Sequence, residues 1–153
     1  MSLKTGDKIP SFTLKDQHGK DFNIDHFVGK KAIVIFFYPK DFTPGCIKEV
    51  CSFRDQYEDF TDLGAEVIGI SGDGEDSHDQ FAKKYKLPFT LLSDKNKKVR
   101  DLFGVKSSLL GLLPGRVTFV IDKNGIVQLI FENQFGAEKH IAESLTILKN
   151  VVK

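Results

Sequence analysis

Residues 31 to 38, KAIVIFFY, form the most apolar run in the chain. The run is rich in β-branched and aromatic residues and too short for a helix, which predicts a strand buried on both faces. A second run of this kind, AEVIGIS, covers residues 65 to 71. Between the two, apolar residues recur at spacings of three and four from Thr43 to about Phe60, which predicts a helix. This order predicts two parallel strands joined by a right-handed crossover.

Weaker patterns predict the remaining elements. Alternation near the N-terminus indicates a small hairpin over residues 11 to 22. Asp76 or Ser77 is expected to cap a helix that stops before Pro88. The elements after it are a short strand (89–92), a short helix (96–103), a loop (105–115), a hairpin (116–122 and 126–132) and an amphipathic helix (137–152). The Asn124-Gly125 pair is typical of the turn in such a hairpin.

The order of these elements predicts an α/β fold. Strand–helix–strand units make parallel pairs, whereas the late hairpin is antiparallel, so the central sheet is expected to be mixed and flanked by helices. Such an order fits a thioredoxin-like fold with an N-terminal β-hairpin extension and an insertion before the last hairpin. The length of 153 residues fits a single domain spanning residues 1–153.

Composition narrows the possible partners and compartments. The chain has 22 basic and 21 acidic residues, so no overall field favours nucleic acid or an anionic membrane. No apolar run approaches the length of a membrane span, and the N-terminus lacks the apolar centre of a signal peptide. We therefore expect a cytoplasmic protein in a reducing compartment, where cysteines are more often catalytic or metal-binding than structural.

The two cysteines do not make a metal site by themselves. The four histidines are scattered, without metal-ligand spacing to the cysteines, so neither zinc nor another metal is predicted. His78 is expected to pack against or cap its own helix.

Both cysteines lie near the start of one predicted helix. The unpaired N–H groups and the dipole of a helix start stabilise an anion, which favours a thiolate at Cys46, about three residues in. Cys51 lies over a turn further along, beyond most of that field. The pattern therefore predicts Cys46 as the nucleophile and Cys51 as the thiol that reacts second. The alternative is that both are small buried hydrophobic residues.

The spacing of the cysteines limits what they can do. Residues five apart in a regular helix have Cα atoms roughly 8.7 Å apart, whereas a disulfide needs about 4.4–6.8 Å. Either the pair never bonds, or the first turns unwind so that Cys51 can attack a sulfenic acid formed on Cys46.

The segment PKDFTPGCIKEVCSFRD contains Pro-x-x-x-Thr-x-x-Cys, which resembles the active-site motif of peroxiredoxins of the AhpC/TSA superfamily. The Cys-x-x-x-x-Cys that follows is similar to the bacterioferritin-comigratory-protein or peroxiredoxin Q subfamily. The resemblance continues through GAEVIGIS, KYKLPFTLLSD and RVTFVIDKNG and covers nearly the whole chain. The stretch LPGRVTFVIDKNGIVQLIFENQF looks most like the plastid and cyanobacterial branch.

The resemblance implies roles for the two cysteines and for one polar residue between them. Cys46 would be the peroxidatic cysteine, which attacks the peroxide O–O bond as a thiolate, and Cys51 would be the resolving cysteine. Glu49 also matches the subfamily. It would either support the active-site network or lie on the solvated surface of the helix.

The resemblance also implies roles for three residues that would bind the peroxide, stabilise negative charge and shield the sulfur. Thr43 would bind the peroxide through its hydroxyl, a group that both donates and accepts. Arg116 would stabilise the thiolate and the charge on the leaving oxygen, and Pro39 would shield the sulfur from water. Without the resemblance, Thr43 reads as a helix cap, Arg116 as a solvated residue at a strand start and Pro39 as a strand terminator.

The implied activity is that of a thiol-dependent peroxidase in antioxidant defence. It would reduce hydrogen peroxide and small organic hydroperoxides through a Cys46 sulfenic acid and an intramolecular Cys46–Cys51 disulfide, and thioredoxin or a similar dithiol protein would recycle it. No cofactor is implied, and the expected state is a monomer or weak homodimer. One alternative is a peroxide-responsive redox sensor or binding protein that uses the same disulfide switch. Another is a thioredoxin-like disulfide oxidoreductase, against which the absence of Cys-x-x-Cys weighs.

Overall fold

The computed structural model describes residues 3–105, 116–132 and 137–151. The elements in chain order are β1 (Thr13–Asp16), β2 (Asp21–Asn23), β3 (Ala32–Phe37), α1 (Pro44–Asp55), α2 (Tyr57–Asp62), β4 (Ala65–Ser71), α3 (Glu75–Tyr85), β5 (Thr90–Ser93), α4 (Lys98–Phe103), β6 (Val117–Ile121), β7 (Val127–Glu132) and α5 (Ala137–Val151). A short 3₁₀ turn, Ile24–His26, follows β2.

Within the described residues the strands form one sheet in the order β2-β1-β5-β4-β3-β6-β7. Strands β3, β4 and β5 are parallel, and the strands at both sides add antiparallel pairs. The predicted mixed sheet with an N-terminal hairpin is therefore confirmed. That the whole chain is a single domain stays a prediction.

Strand β3 is the centre of the core. All six of its residues are buried, as its uninterrupted apolar sequence predicts for a strand covered on both faces. On one face of the sheet, Val34 and Phe36 join a cluster with residues of α1, α2, α3 and α5. On the other face, Ile33, Ile35 and Phe37 pack with α4 and the N-terminal segment. The prediction of helices on both faces is confirmed.

Two helix boundaries differ from the predictions. The helix predicted from Thr43 to about Phe60 is divided at Gln56 into α1 and α2. After this bend the Tyr57 hydroxyl donates to Glu66 of β4 at 2.8 Å, a tertiary contact that local periodicity does not encode. Helix α3 begins at Glu75, with Gly74 rather than Asp76 or Ser77 at the capping position.

The late hairpin forms as predicted. Strands β6 and β7 pair antiparallel, and the turn contains Gly125 at φ +85°, a left-handed conformation that glycine adopts at little cost. Of the loop predicted over 105–115, residues 106–115 lie outside the described residues, as does the predicted end of the last helix at Val152.

The sheet register explains why distant segments meet. Phe37, the last residue of β3, lies opposite Val117, the first residue of β6. Arg116 immediately precedes β6, so it lies beside the end of β3, where the chain leaves the sheet toward α1. The two segments that carry the candidate site therefore converge at one edge of the core.

Candidate active site

Cys46 lies in the first turn of α1 with no exposed surface. The helix begins with Pro44, whose missing N–H costs nothing at that position. The first turn of α1 contains no acidic residue, and the positive end of the helix dipole lies at this end of the helix. This placement puts the Cys46 sulfur at the positive end of the α1 dipole.

Arg116 connects the sulfur to a buried carboxylate. Its Nη2 donates to Cys46 Sγ at 3.4 Å, and its Nη1 donates to Glu49 Oε1 at 2.7 Å. Burial acts to lower the pKa of Arg116, but the carboxylate and the sulfur outweigh it, so the pKa is raised. The guanidinium stays positive beside the sulfur. With Arg116 only 5% exposed, its interpretation as a solvated residue is wrong.

Glu49 is fully buried, so its interpretation as part of a solvated helix surface is also wrong. Burial raises the pKa of its carboxyl from 4.5 to about 7, although Arg116 opposes the shift. Its Oε2 makes no hydrogen bond within the described part of the chain. The Nδ1 atom of His140 lies 3.7 Å from it, which is too long for a hydrogen bond.

His140 and Thr118 form the outer side of this network. The Thr118 hydroxyl and His140 Nδ1 are 2.7 Å apart, and both residues are fully buried. Sequence reasoning assigned no role to either. Thr118 falls within a segment of the family resemblance, but only the sheet and α5 bring these two residues to Glu49.

Gly45 lies close against the guanidinium of Arg116. A Cβ atom on this residue would lie 2.9 Å from Arg116 Nη2, closer than real Cβ contacts allow. A larger residue at this position would push the donor away from the Cys46 sulfur.

Thr43 occupies the capping position of α1 but does not cap it with its side chain. Its hydroxyl instead donates to the carbonyl of Lys40 at 2.7 Å. The interpretation of Thr43 as a side-chain cap is therefore wrong, because its hydroxyl bonds the preceding loop and not a backbone N–H of α1. Pro39 is half-buried and lies two residues beyond the end of β3.

Cys51 lies on the same intact helix as Cys46, and both thiols are free. It is half-buried, and burial is the main cause that raises the pKa of its thiol. The two cysteines therefore differ in environment, since Cys46 faces a cation while Cys51 is held toward its protonated form.

A family model described as the AhpC/TSA family matches residues 5–130. The chain belongs to the AhpC/TSA family. Among curated relatives, chloroplastic peroxiredoxin Q of Sedum lineare is 58% identical over 146 residues, which are 95% of this chain and 78% of the relative. Chloroplastic peroxiredoxin Q of Arabidopsis thaliana is 59% identical over 147 residues, 96% of this chain and 68% of the relative.

Solved structures agree with this assignment. Peroxidoxin BcpB of Mycobacterium tuberculosis is 37% identical, with a TM-score of 0.90, and the match covers 97% of this chain and 98% of that one. Peroxiredoxin Q of Xanthomonas campestris is 31% identical, with a TM-score of 0.84 over 93% of this chain and 92% of that one. The chain is thus a peroxiredoxin of the Q group with a thioredoxin-like fold, and the enzyme is a thiol peroxidase that reduces peroxides.

The location of the protein is a separate matter. The curated relatives are named chloroplastic, which gives no support to the predicted cytoplasmic location, so that location stays a prediction. Among the described helices, none combines the length and apolar character needed to cross a membrane.

Proposed function

We propose that Cys46 carries out the peroxidase reaction of this enzyme. The observation that carries the proposal is the contact of 3.4 Å from Arg116 Nη2 to Cys46 Sγ, made at the start of a helix. A cation and a helix dipole act together on one buried sulfur, which favours the reactive thiolate.

The first step forms an S–O bond and breaks the O–O bond of the peroxide. The Cys46 thiolate attacks the peroxide oxygen that carries a hydrogen atom, and this oxygen stays on the sulfur as a sulfenic acid. The second oxygen departs as hydroxide or alkoxide and takes a proton from solvent. Arg116 stabilises the negative charge that moves from sulfur to the leaving oxygen. The Thr43 hydroxyl donates its hydrogen bond to the Lys40 carbonyl, so its oxygen is free to accept a hydrogen bond from the peroxide.

Pro39 and Glu49 support this step without reacting. Pro39, half-buried in the segment between β3 and α1, limits the approach of water to the sulfur. Glu49 holds the guanidinium through the 2.7 Å contact, so the second donor stays directed at Cys46.

The second step joins the two cysteines. Cys51 gives up its thiol proton and attacks the sulfenic sulfur, so that an S–S bond forms, the S–O bond breaks and water leaves. Both residues lie within the continuous helix α1, in which positions five apart are roughly 8.7 Å apart at Cα. The first turns of α1 therefore unwind before the disulfide closes. Thioredoxin or a similar dithiol protein then reduces this bond by exchange.

Hydrogen peroxide and small organic hydroperoxides are the proposed substrates. The bacterioferritin comigratory protein of X. campestris, 28% identical to this chain, has an alkyl peroxide reduction activity. In this chain the side chain of Phe42, next to Thr43, is 40% exposed and offers an apolar surface to an alkyl group.

Peroxide consumption with thioredoxin recycling tests the proposal in wild type, Cys46→Ser and Cys51→Ser. Cys46→Ser is expected to stop the reaction. Cys51→Ser is expected to be oxidised once and then to lose thioredoxin-dependent turnover. Full activity of Cys46→Ser contradicts the proposal, and a wild type that is oxidised only stoichiometrically favours a redox sensor instead.

Hydrogen exchange tests the unwinding. Amides of residues 43 to 55 are expected to exchange faster in the oxidised protein than in the reduced one, because the disulfide is incompatible with an intact α1. Equal exchange in the two states would show that the helix does not open.

A further inference from the structure

A second buried polar cluster lies behind the loop that carries Thr43. This loop, residues 38–43, connects β3 to α1 and is called the active-site loop below. Asp41 is only 3% exposed, although it carries an acidic side chain. Its carboxylate contacts Tyr38 Oη at 2.6 Å, Ser77 Oγ at 2.8 Å and His78 Nδ1 at 2.7 Å. A carboxylate this deeply buried is stable only where such partners surround it.

His78 contacts both a backbone carbonyl and a carboxylate. Its Nε2 lies 3.0 Å from the carbonyl oxygen of Leu92, which only accepts, so this nitrogen carries a proton. Its Nδ1 lies against Asp41, whose oxygens also receive the hydroxyl protons of Tyr38 and Ser77. Burial is the main cause that raises the pKa of Tyr38 well above its ordinary value, and the charge of Asp41 raises it further. The phenol therefore keeps its proton and acts as a donor. Asp41 is thus placed to accept from all three partners, His78 Nδ1 among them, and Tyr38 Oη also lies 3.4 Å from that nitrogen.

The three ligand-type atoms of Asp41, Asp73 and His78 lie within 4.8 Å of one another, an arrangement that also resembles a cation site. However, the Asp73 Oδ2 atom already accepts from the Asp41 backbone N–H at 2.8 Å and from Ser71 Oγ at 2.7 Å. The hydrogen bonds are short and connect every member of the group. The geometry therefore favours an ion pair within a polar network over a bound metal.

The active-site loop is strained where it leaves this cluster. Phe42 has φ +64°, a left-handed conformation that costs a bulky residue about 1–3 kcal/mol. The loop is held on both sides of this residue. Asp41 precedes it, and the carbonyl of Thr43 follows it and accepts from Ile47 N–H of α1 at 2.8 Å.

We propose that Asp41 and His78 form a buried ion pair that fixes the active-site loop and thereby positions Thr43 for the peroxide. The ion pair joins the loop to α3 through His78 and to β5 through the Leu92 carbonyl, so the loop is anchored to rigid elements. Asp41 and His78 are positioning residues, because neither contacts Cys46. The inference rests on the proposed roles of Cys46 and Thr43.

The proposal separates two reactions of the same sulfur. Reduction of a peroxide needs Thr43 in place, whereas alkylation by iodoacetamide needs only a thiolate and access to it. Because Cys46 has no exposed surface, a loosened loop increases access for the alkylating agent. Loss of the ion pair is therefore expected to slow oxidation by hydrogen peroxide about 10- to 100-fold, the effect of a small misplacement of a reacting group. Alkylation is expected to keep its rate or become faster.

The test uses Asp41→Asn and His78→Gln, each in a Cys51→Ser background so that one thiol reports both rates. Ser144→Ala is the matched control, since the buried Ser144 hydroxyl donates, among the described residues, to the His140 carbonyl of its own helix at 2.6 Å and not to the Asp41 cluster. Circular dichroism establishes that each protein is folded. Slower oxidation with unchanged or faster alkylation, absent from Ser144→Ala, supports the proposal. Wild-type oxidation rates in both variants, or a parallel fall of both reactions, overturn it.

Two measurements keep the proposal testable if the charged variants do not fold. Tyr38→Phe and Ser77→Ala each remove one hydrogen bond to Asp41 and are expected to slow oxidation in the same direction, by less. In the wild type, ¹⁵N NMR of the histidines is expected to show protons on both ring nitrogens of His78. A neutral His78 ring overturns the ion pair. Wild-type activity of Cys46→Ser would instead refute the proposed function, which distinguishes the two failures.

Discussion

Glu49 is predicted to make the reduced protein less stable as the pH rises. Burial raises the pKa of its carboxyl from 4.5 to about 7 in the folded state. The folded protein therefore binds this proton more tightly than the unfolded chain does. The stabilisation that the protonated Glu49 carboxyl gives the folded state is fully present below pH 4.5 and is lost as the pH rises through about 7. Ionised Glu49 is partly compensated by Arg116, but one of its oxygens has no hydrogen bond within the described residues.

The magnitude follows from the two pKa values. Between about pH 5 and about pH 8, the difference corresponds to a loss of about 2–3 kcal/mol in the free energy of unfolding. Replacement by glutamine keeps the size of the side chain and removes the titration. Wild type is therefore expected to lose about that much more stability than Glu49→Gln over the same pH interval.

Urea unfolding of the reduced protein at the two pH values measures this difference. Glu138→Gln is the matched control, because Glu138 is exposed and the pKa of its carboxyl is lowered, chiefly by a hydrogen bond from Lys48. This control is expected to retain the wild-type decrease in stability. If wild type and Glu49→Gln change equally with pH, or if wild type becomes more stable at the higher pH, the assignment of a buried, weakly compensated Glu49 is wrong.

Three glycine exchanges test other parts of the structure. Gly45→Ala would place a Cβ 2.9 Å from Arg116 Nη2. Cys46 oxidation is therefore expected to slow about 10- to 100-fold. Urea unfolding is expected to show equal or slightly higher stability, because alanine favours the helix. Lys86→Gly relieves a left-handed residue at φ +53° at the end of α3, and urea unfolding is expected to show a gain of about 1 kcal/mol. Gly69→Ala would place a Cβ 2.6 Å from the Phe36 ring, and the same assay is expected to show a loss of about 1–3 kcal/mol.

Each exchange has a control or a contrary outcome. Gly74→Ala adds a methyl group at an ordinary contact distance of 3.6 Å from the Lys95 Cε methylene, and it is expected to leave Cys46 oxidation unchanged. Lys84→Gly puts glycine inside α3 and is expected to cost about 1 kcal/mol, opposite to Lys86→Gly. A stable Gly69→Ala would mean that the core repacks around the new methyl group. Wild-type oxidation in Gly45→Ala would mean that Arg116 does not need its present position.

The sequence determined those features that depend on neighbouring residues. The apolar runs predicted β3 and β4, since a strand covered on both faces has no polar alternation. The Asn124-Gly125 turn predicted the late hairpin, because it supplies the backbone conformation that such a turn needs. The TPGC turn predicted that Cys46 lies at a helix start, because capping and the proline position are local properties.

Only the tertiary structure decided which distant side chains complete the site. Arg116 reaches Cys46 across 70 positions of the chain because β6 pairs with β3, and His140 approaches Glu49 because α5 packs beside α1. Ser77 illustrates the same limit, since its hydroxyl suits a helix cap but binds Asp41 instead. Burial, which raises the pKa of Glu49, likewise depends on every element packed around it. Local pattern thus predicted where the reactive sulfur lies, and the folded sheet supplied the charges around it.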